Sequence, residues 1–139
     1  MKKALIIDDE RLARSELKKL LADHPEIVVI GEAVNAKDGV EKIETLRPDL
    51  LFPDIQMPDK TGFDLLAELE RAPQVIFTTA YDEYALKAFE YNALDYLLKP
   101  VEPKRLADAI HKLHQQEEKE RLAAAAGLRN ILSENDQCS

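Results

Sequence analysis

The sequence predicts an α/β fold: a doubly wound, five-stranded parallel sheet with helices on both faces. Two observations carry this. Short β-prone runs alternate with amphipathic helical segments five times along the chain. Runs such as Ala4-Leu5-Ile6-Ile7 and Leu50-Leu51-Phe52 are apolar throughout, as strands covered on both faces must be. Right-handed crossovers then place the helices on the two sides of the sheet.

The elements follow in order. Ala4–Ile7 is the first strand, stopped by the carboxylates Asp8 and Asp9. The segment 10–22 carries Leu12, Leu17, Leu20 and Leu21 at helical spacing. Residues 27–34 are β-branched apart from Gly31-Glu32 and form the second strand. Asn35 is placed to cap a helix that runs to Leu46, with Val40, Ile43 and Leu46 inward. Pro48 ends it, and Leu50–Phe52 makes the third strand. Thr61 or Gly62 begins a helix through Leu69 with Phe63, Leu66 and Leu69 on its inner face. Val75–Thr78 is the fourth strand, Asp82 caps a helix to about Tyr91, and Tyr96–Leu98 is the fifth strand. Pro103 suits the first turn of a last helix, where its missing N–H would be unbonded anyway. Leu106, Ile110 and Leu113 form that helix's apolar stripe. Gln115–Arg121 is polar, Leu122–Ala126 is helix-prone up to Gly127, and Ser133–Ser139 is expected to be loose.

Bulk properties narrow the function classes. The 139 residues suit one domain, here residues 1–114, with 115–139 as a helical extension and tail. The net charge of −8 and the lack of a basic cluster argue against nucleic-acid binding by this chain itself. No apolar run approaches the roughly 18 residues of a membrane span, and the start lacks a signal-peptide pattern, so a cytoplasmic protein is expected. The one cysteine, Cys138, excludes an internal disulfide. His111 and His114 lie at helical spacing without partnering ligands and read as a solvated face.

Ligand chemistry in such sheets gathers beyond the carboxyl ends of the strands. Asp8 and Asp9 follow the first strand and Asp54 follows the third, its neighbour in the order 2-1-3-4-5. A single aspartate there would be an ordinary cap. Three in one crevice would repel one another unless a hard divalent cation joined them, and Mg²⁺ (or Mn²⁺) favours such oxygen ligands. Thr79 and Lys99 follow the fourth and fifth strands, and Ala80 leaves space beside them. A hydroxyl and an ammonium facing that centre suit an arriving phosphoryl group. Lys99-Pro100 fits a tight turn that aims the ammonium.

The segments Ile6-Ile7-Asp8-Asp9-Glu10, Asp54-Ile55-Gln56-Met57-Pro58 with Gly62, Thr78-Thr79-Ala80 and Leu98-Lys99-Pro100 together resemble the response-regulator receiver family, from about Lys3 to His114. Thr79-Ala80-Tyr81-Asp82-Glu83-Tyr84-Ala85 and Asp95-Tyr96-Leu97-Leu98-Lys99-Pro100 look like its LytTR-type (LytR/AlgR-like) subgroup. The resemblance implies a flavodoxin-like fold and a set of roles. Asp54 would accept phosphate from a sensor histidine kinase. Asp8, Asp9, Asp54 and the Gln56 backbone carbonyl would hold the metal. Thr79, Ala80 and Lys99 would contact the phosphoryl group, Thr79 and Tyr96 would form the switch, and Pro100 would make the turn. A homodimer through the fourth helix, fifth strand and fifth helix would include Lys87, Glu90, Tyr91, Asp95 and Ala109. Gln56 and Tyr81, two residues beyond Asp54 and Thr79, would be the positions most able to admit or block the hydrolytic water, with a bulky Tyr81 shielding the acylphosphate. The chain would be the N-terminal part of a transcription regulator whose DNA-binding domain lies beyond it, or else a stand-alone receiver.

Two other classes fit the sequence less well. A receiver-like module acting by protein contact alone is disfavoured by the intact acid, hydroxyl and ammonium set. A phosphatase with an aspartate nucleophile would want Asp-x-Asp where this chain has Asp8-Asp9-Glu10. One departure stands out: Pro53 in a central strand removes a ladder N–H directly before Asp54.

Overall fold

The computed structural model describes residues 1–71 and 73–137, without the side chains of Leu86 and residues 128–137. It divides into two compact units, Met1–Ala109 and Ile110–Ser139. The elements are β1 (Lys2–Ile7), α1 (Arg11–Leu21), β2 (Ile27–Ala33), α2 (Ala36–Leu46), β3 (Leu50–Pro53), α3 (Gly62–Ala67), β4 (Gln74–Thr79), a 3-10 turn (Asp82–Tyr84), α4 (Ala85–Glu90), β5 (Asp95–Leu98) and α5 (Pro103–Gln137). All strand pairs are parallel and the order is β2-β1-β3-β4-β5, as expected.

Alternation along the strands divides the core between two faces. Leu5, Ile7, Leu51, Val75 and Phe77 cluster with Ala36 and Ile43 of α2, Phe63 and Leu65 of α3, and Ala88 of α4. Ala4, Ile6, Leu50, Phe52 and Ile76 alternate with them and are equally buried on the opposite face. Leu17 and Leu21 of α1 and Leu106 of α5 are buried as well. Apolar runs without alternation are what a sheet covered on both faces demands, and this protein meets that demand.

Capping chemistry sets the helix starts. The Asn35 side chain accepts from the Asp38 N–H at 2.8 Å. Thr61, not Gly62, caps α3, and Thr61 and Asp64 form a reciprocal capping box. Several expectations need correction. Asp82 does not cap a long fourth helix. It lies inside a 3-10 turn behind an extended Tyr81, and α4 spans only Ala85–Glu90. A cap must itself be extended, and Asp82 comes one residue too late. Leu12 is 76% exposed instead of inward, and Leu46 is exposed at 38%. The backbone of α5 passes Gly127 without a break and reaches Gln137. Cys138 and Ser139 lie outside the described residues. Among the described residues, no helix is long and apolar enough to cross a membrane.

Pro53 leaves a local mark. β3 and β4 pair at Leu50–Gln74 and Leu51–Val75, and pairing resumes only as a single bridge between Asp54 and Thr78. The Ile55 N–H donates to the Thr78 carbonyl at 3.0 Å, so two residues back the missing N–H of Pro53 falls opposite the Ile76 carbonyl. On the other side the strand is intact, with Pro53 in register with Ile7 and the Asp54 N–H on the Ile7 carbonyl at 2.7 Å. Pro53→Leu is expected to close the gap. One recovered hydrogen bond, less the rigidity that proline lends the unfolded chain, gives a net gain of about 0.5 kcal/mol. Hydrogen exchange is the direct check: the new main-chain N–H at position 53 should exchange as slowly as its strand neighbours.

Candidate functional site

Asp8 and Asp54 are nearly inaccessible, at 3% and 4% exposure, where β1 and β3 end. Two buried carboxylates side by side are costly, and Lys99 answers them both. Its Nζ lies 2.7 Å from Asp8 Oδ2 and 3.3 Å from Asp54 Oδ2, with Glu10 Oε1 further off at 3.8 Å. Lys99 reaches this point because its own N–H donates to the Thr79 carbonyl at 2.7 Å, which pins the end of β5 to the end of β4. The Lys99–Pro100 bond is cis.

The electrostatics follow from this packing. Burial pushes the Asp54 carboxyl up to about 6; Lys99 pulls it back and the negative charge of Asp8 adds to the rise. Burial alone would lower the Lys99 ammonium, but its hydrogen bond to Asp8 and the charges of Asp54 and Asp8 outweigh that and raise it. Asp54 is therefore a carboxylate that a neighbouring cation keeps ionised near neutral pH.

Carboxylate oxygens of Asp8, Asp9, Glu10 and Asp54 all lie within 4.8 Å of one another. This hard, all-oxygen donor set, with Asp9 and Glu10 exposed to solvent, fits a divalent cation of the Mg²⁺ kind. Gln56 sits against the same centre, its N–H directed at Asp54 Oδ1 over 3.3 Å. Thr79 is buried and its hydroxyl accepts the Tyr81 N–H at 3.1 Å, while Ala80 beside it is exposed.

Tyr96 is half-buried on β5, some distance along the strand from Lys99. Its ring meets the Arg105 guanidinium at 5.5 Å and Phe89 edge-on at 6.2 Å. Arg105 also grips Asp95 through two bonds of 2.8 and 2.7 Å and donates to the Tyr96 carbonyl at 2.8 Å. This corrects one expectation about the α4–β5–α5 face. Asp95 and Ala109 are fully buried, so neither lies on that surface. Lys87, Glu90 and Tyr91 are exposed, and Phe89 and Leu98 join them.

The structure brings Asp8, Asp9, Asp54, Gln56 and Lys99 into one cluster, joins Thr79 to it through the Lys99 main chain, and adds supports that patterning does not reveal. Glu10 belongs to the carboxylate group, and its place in the run Asp8-Asp9-Glu10 was the available signal. Arg14 of α1 donates to the Asp8 carbonyl at 2.7 Å and to Glu32 at 3.2 Å, holding the loop after β1. Asp59 accepts from the N–H groups of Ala36 and Lys37 at 3.1 and 3.0 Å, so the loop after β3 caps α2 from outside. Gly62 explains itself by contact: a Cβ there would meet the Asp54 carbonyl oxygen at 2.7 Å.

Comparison with known proteins agrees with this geometry. The model of the response regulator receiver domain family matches residues 4–111. The chain is 55% identical over 121 residues to a response regulatory protein of Vibrio cholerae, covering 86% of this chain and 51% of that protein. It is 45% identical over 139 residues to the transcriptional regulatory protein BtsR of Salmonella typhi, covering 99% and 55%. The chain thus spans about half the length of the curated relatives it matches. Among solved structures, the REC domain of AraT, a response regulator from Geobacillus stearothermophilus, gives a TM-score of 0.76 at 32% identity over 86% of this chain and 98% of that one. The response regulatory domain of mrkE from Klebsiella pneumoniae gives 0.74 at 32% identity, over 84% and 98%. A family match across most of the chain, on a sheet of the same kind, settles the assignment: the chain belongs to the response regulator receiver domain family of two-component systems.

Proposed function

We propose that the chain is a phosphorylation-controlled receiver in which Asp54 accepts a phosphoryl group from the phosphohistidine of a sensor kinase. The observation that carries this reading is the single ammonium of Lys99 set between the buried carboxylates of Asp8 and Asp54. An Asp54 oxygen forms the new bond to phosphorus as the phosphorus–nitrogen bond of the donor breaks. Phosphoryl transfer asks a protein mainly for position and charge compensation. Lys99 supplies a positive charge on one side, and the Thr79 hydroxyl and the backbone at Ala80 would contact phosphoryl oxygens. Asp8, Asp9, Asp54 and the Gln56 carbonyl would hold Mg²⁺, with Glu10 adding a nearby carboxylate. When bound, the ion offsets negative charge on the transferring group.

Activation would then be a shift between two populations. Thr79 leaves the Tyr81 N–H for the phosphoryl group, and Tyr96 leaves Phe89 and the Arg105 guanidinium to turn inward. The face bearing Lys87, Phe89, Glu90, Tyr91 and Leu98 changes with them and offers a dimer surface. We further propose a receiver at residues 1–114, with 115–139 leading toward a LytTR-type DNA-binding domain. Relatives named as transcriptional regulators and about twice this length support that view.

Incubation with acetyl phosphate and Mg²⁺, followed by intact-mass measurement, tests the reading. One phosphate adduct is expected, absent in Asp54→Asn and reduced when chelator replaces Mg²⁺. An unchanged parent mass would favour a module that signals by protein contact alone, consistent with the ladder opened at Pro53.

A further inference from the structure

Gln56 and Tyr84 stand in the two segments that flank Asp54 on its β4 side, one following β3 and the other following β4. The Gln56 carboxamide Nε2 donates to the Tyr84 hydroxyl at 2.8 Å. At its other end Gln56 is fixed to the acid itself, through its N–H to Asp54 Oδ1 at 3.3 Å. Tyr84 is anchored in turn. Its ring packs 6.2 Å from Phe63 and meets Tyr81 edge-on at 6.2 Å, and the buried Phe63 ring lies 4.9 Å from Phe77 of β4. An aromatic base therefore holds a hydroxyl, and that hydroxyl holds the side-chain amide of Gln56.

We propose that Tyr84 is a positioning residue for Gln56 and that their hydrogen bond prolongs the life of an acylphosphate on Asp54. This inference rests on Asp54 being the phosphoacceptor. Hydrolysis forms a phosphorus–oxygen bond to water and breaks the one to Asp54. The carboxylate returns, inorganic phosphate leaves, and the water protons pass to phosphate and solvent. The water needs a partner to hold it in line, and a carboxamide two residues beyond the acid is well placed to serve. The bond from Nε2 to Tyr84 holds the whole carboxamide at the hydroxyl, its second N–H and its Oε1 included, and so keeps it from following the water. The shielding expected of Tyr81 thus becomes a property of a linked trio, in which Tyr81 braces Tyr84 and Tyr84 restrains Gln56.

The test uses the full chain loaded with acetyl phosphate and Mg²⁺, freed of donor, with the decay of the adduct followed by intact mass. Tyr84→Phe keeps the ring on Phe63 and removes only the hydroxyl, and its thermal midpoint serves as a folding control. It is expected to shorten the adduct lifetime about two- to tenfold, the range that one net hydrogen bond translates into as a rate. In a Gln56→Ala background the same change should have no further effect. An unchanged or lengthened lifetime in Tyr84→Phe overturns the proposal, as does equal shortening with and without Gln56. A parent that takes up no phosphate would instead sink the acceptor reading, a different and recognisable result.

Discussion

Arg105→Ala is expected to destabilise the protein by about 3 kcal/mol, a large share of the stability of a domain this size. Asp95 is fully buried, and the Arg105 fork meets both of its carboxylate oxygens at 2.7 and 2.8 Å. Removing the fork takes two charge-assisted bonds from a buried acid that otherwise accepts the Tyr96 N–H at 2.8 Å. Breaking a buried pair generally costs about 3–5 kcal/mol, and the lower end applies because the guanidinium is one-third exposed. The loss has a second part, since Arg105 also bonds the Tyr96 carbonyl and lies over its ring. Urea denaturation at neutral pH reads the total. Arg105→Lys should fall between parent and alanine, because an ammonium supplies charge without the planar fork. Asp95→Leu combined with Arg105→Met should recover most of the deficit, because it removes both charges together. A cost below about 1 kcal/mol for Arg105→Ala would show that the pair is not a structural clamp.

The same pair marks where sequence reading stopped. Strands were legible because each is an apolar run cut off by polar residues, and that cut also exposed Asp8, Asp54, Thr79 and Lys99. The rule that ligand chemistry sits at strand ends needs only the order of elements. Asp95 and Arg105 lie ten residues apart across a turn, and nothing in periodicity says that an acid at the start of a strand will be sealed inside. Asp95 was accordingly placed on a surface it does not reach. Leu12 fits the helical stripe of α1 by spacing alone, yet the stripe that is used is centred on Leu17 and Leu21. The loss at Pro53 was foreseeable from proline chemistry, but the neighbour that loses the bond depends on register. Asp59 reaching Ala36, Arg14 reaching Asp8 and Tyr84 reaching Gln56 are contacts between a loop and a helix or turn elsewhere in the fold, and patterning leaves no trace of them. The chemistry was legible and its supports were not, because function sits at strand ends while positioning is a matter of tertiary approach.

Lys99→Met should separate the electrostatic role of this lysine from mere packing. Its ammonium is the cation shared by two carboxylates whose side chains are 4% and 6% exposed. Without it, in chelator at pH 7.5, Asp8 and Asp54 face one another uncompensated, and the cost is expected to be about 3 kcal/mol. The dependence on pH follows from the Asp54 carboxyl, already pushed up to about 6 by burial with Lys99 in place. A carboxyl raised above its unfolded value of 3.8 favours the folded state while protonated, and that advantage is lost as pH rises through the folded value. Removing Lys99 raises Asp54 further, so the deficit relative to the parent should be small near pH 4 and grow through pH 6 and above. Millimolar Mg²⁺ should then return much of the stability at pH 7.5, because a divalent ion among Asp8, Asp9 and Asp54 replaces the missing charge and binds only the folded chain. Thermal unfolding at three pH values, with Mg²⁺ and with chelator, gives the whole pattern. A deficit that is flat with pH and indifferent to Mg²⁺ would mean that Lys99 acts by filling space, and the charge-compensated centre on which phosphoryl transfer depends would have to be abandoned.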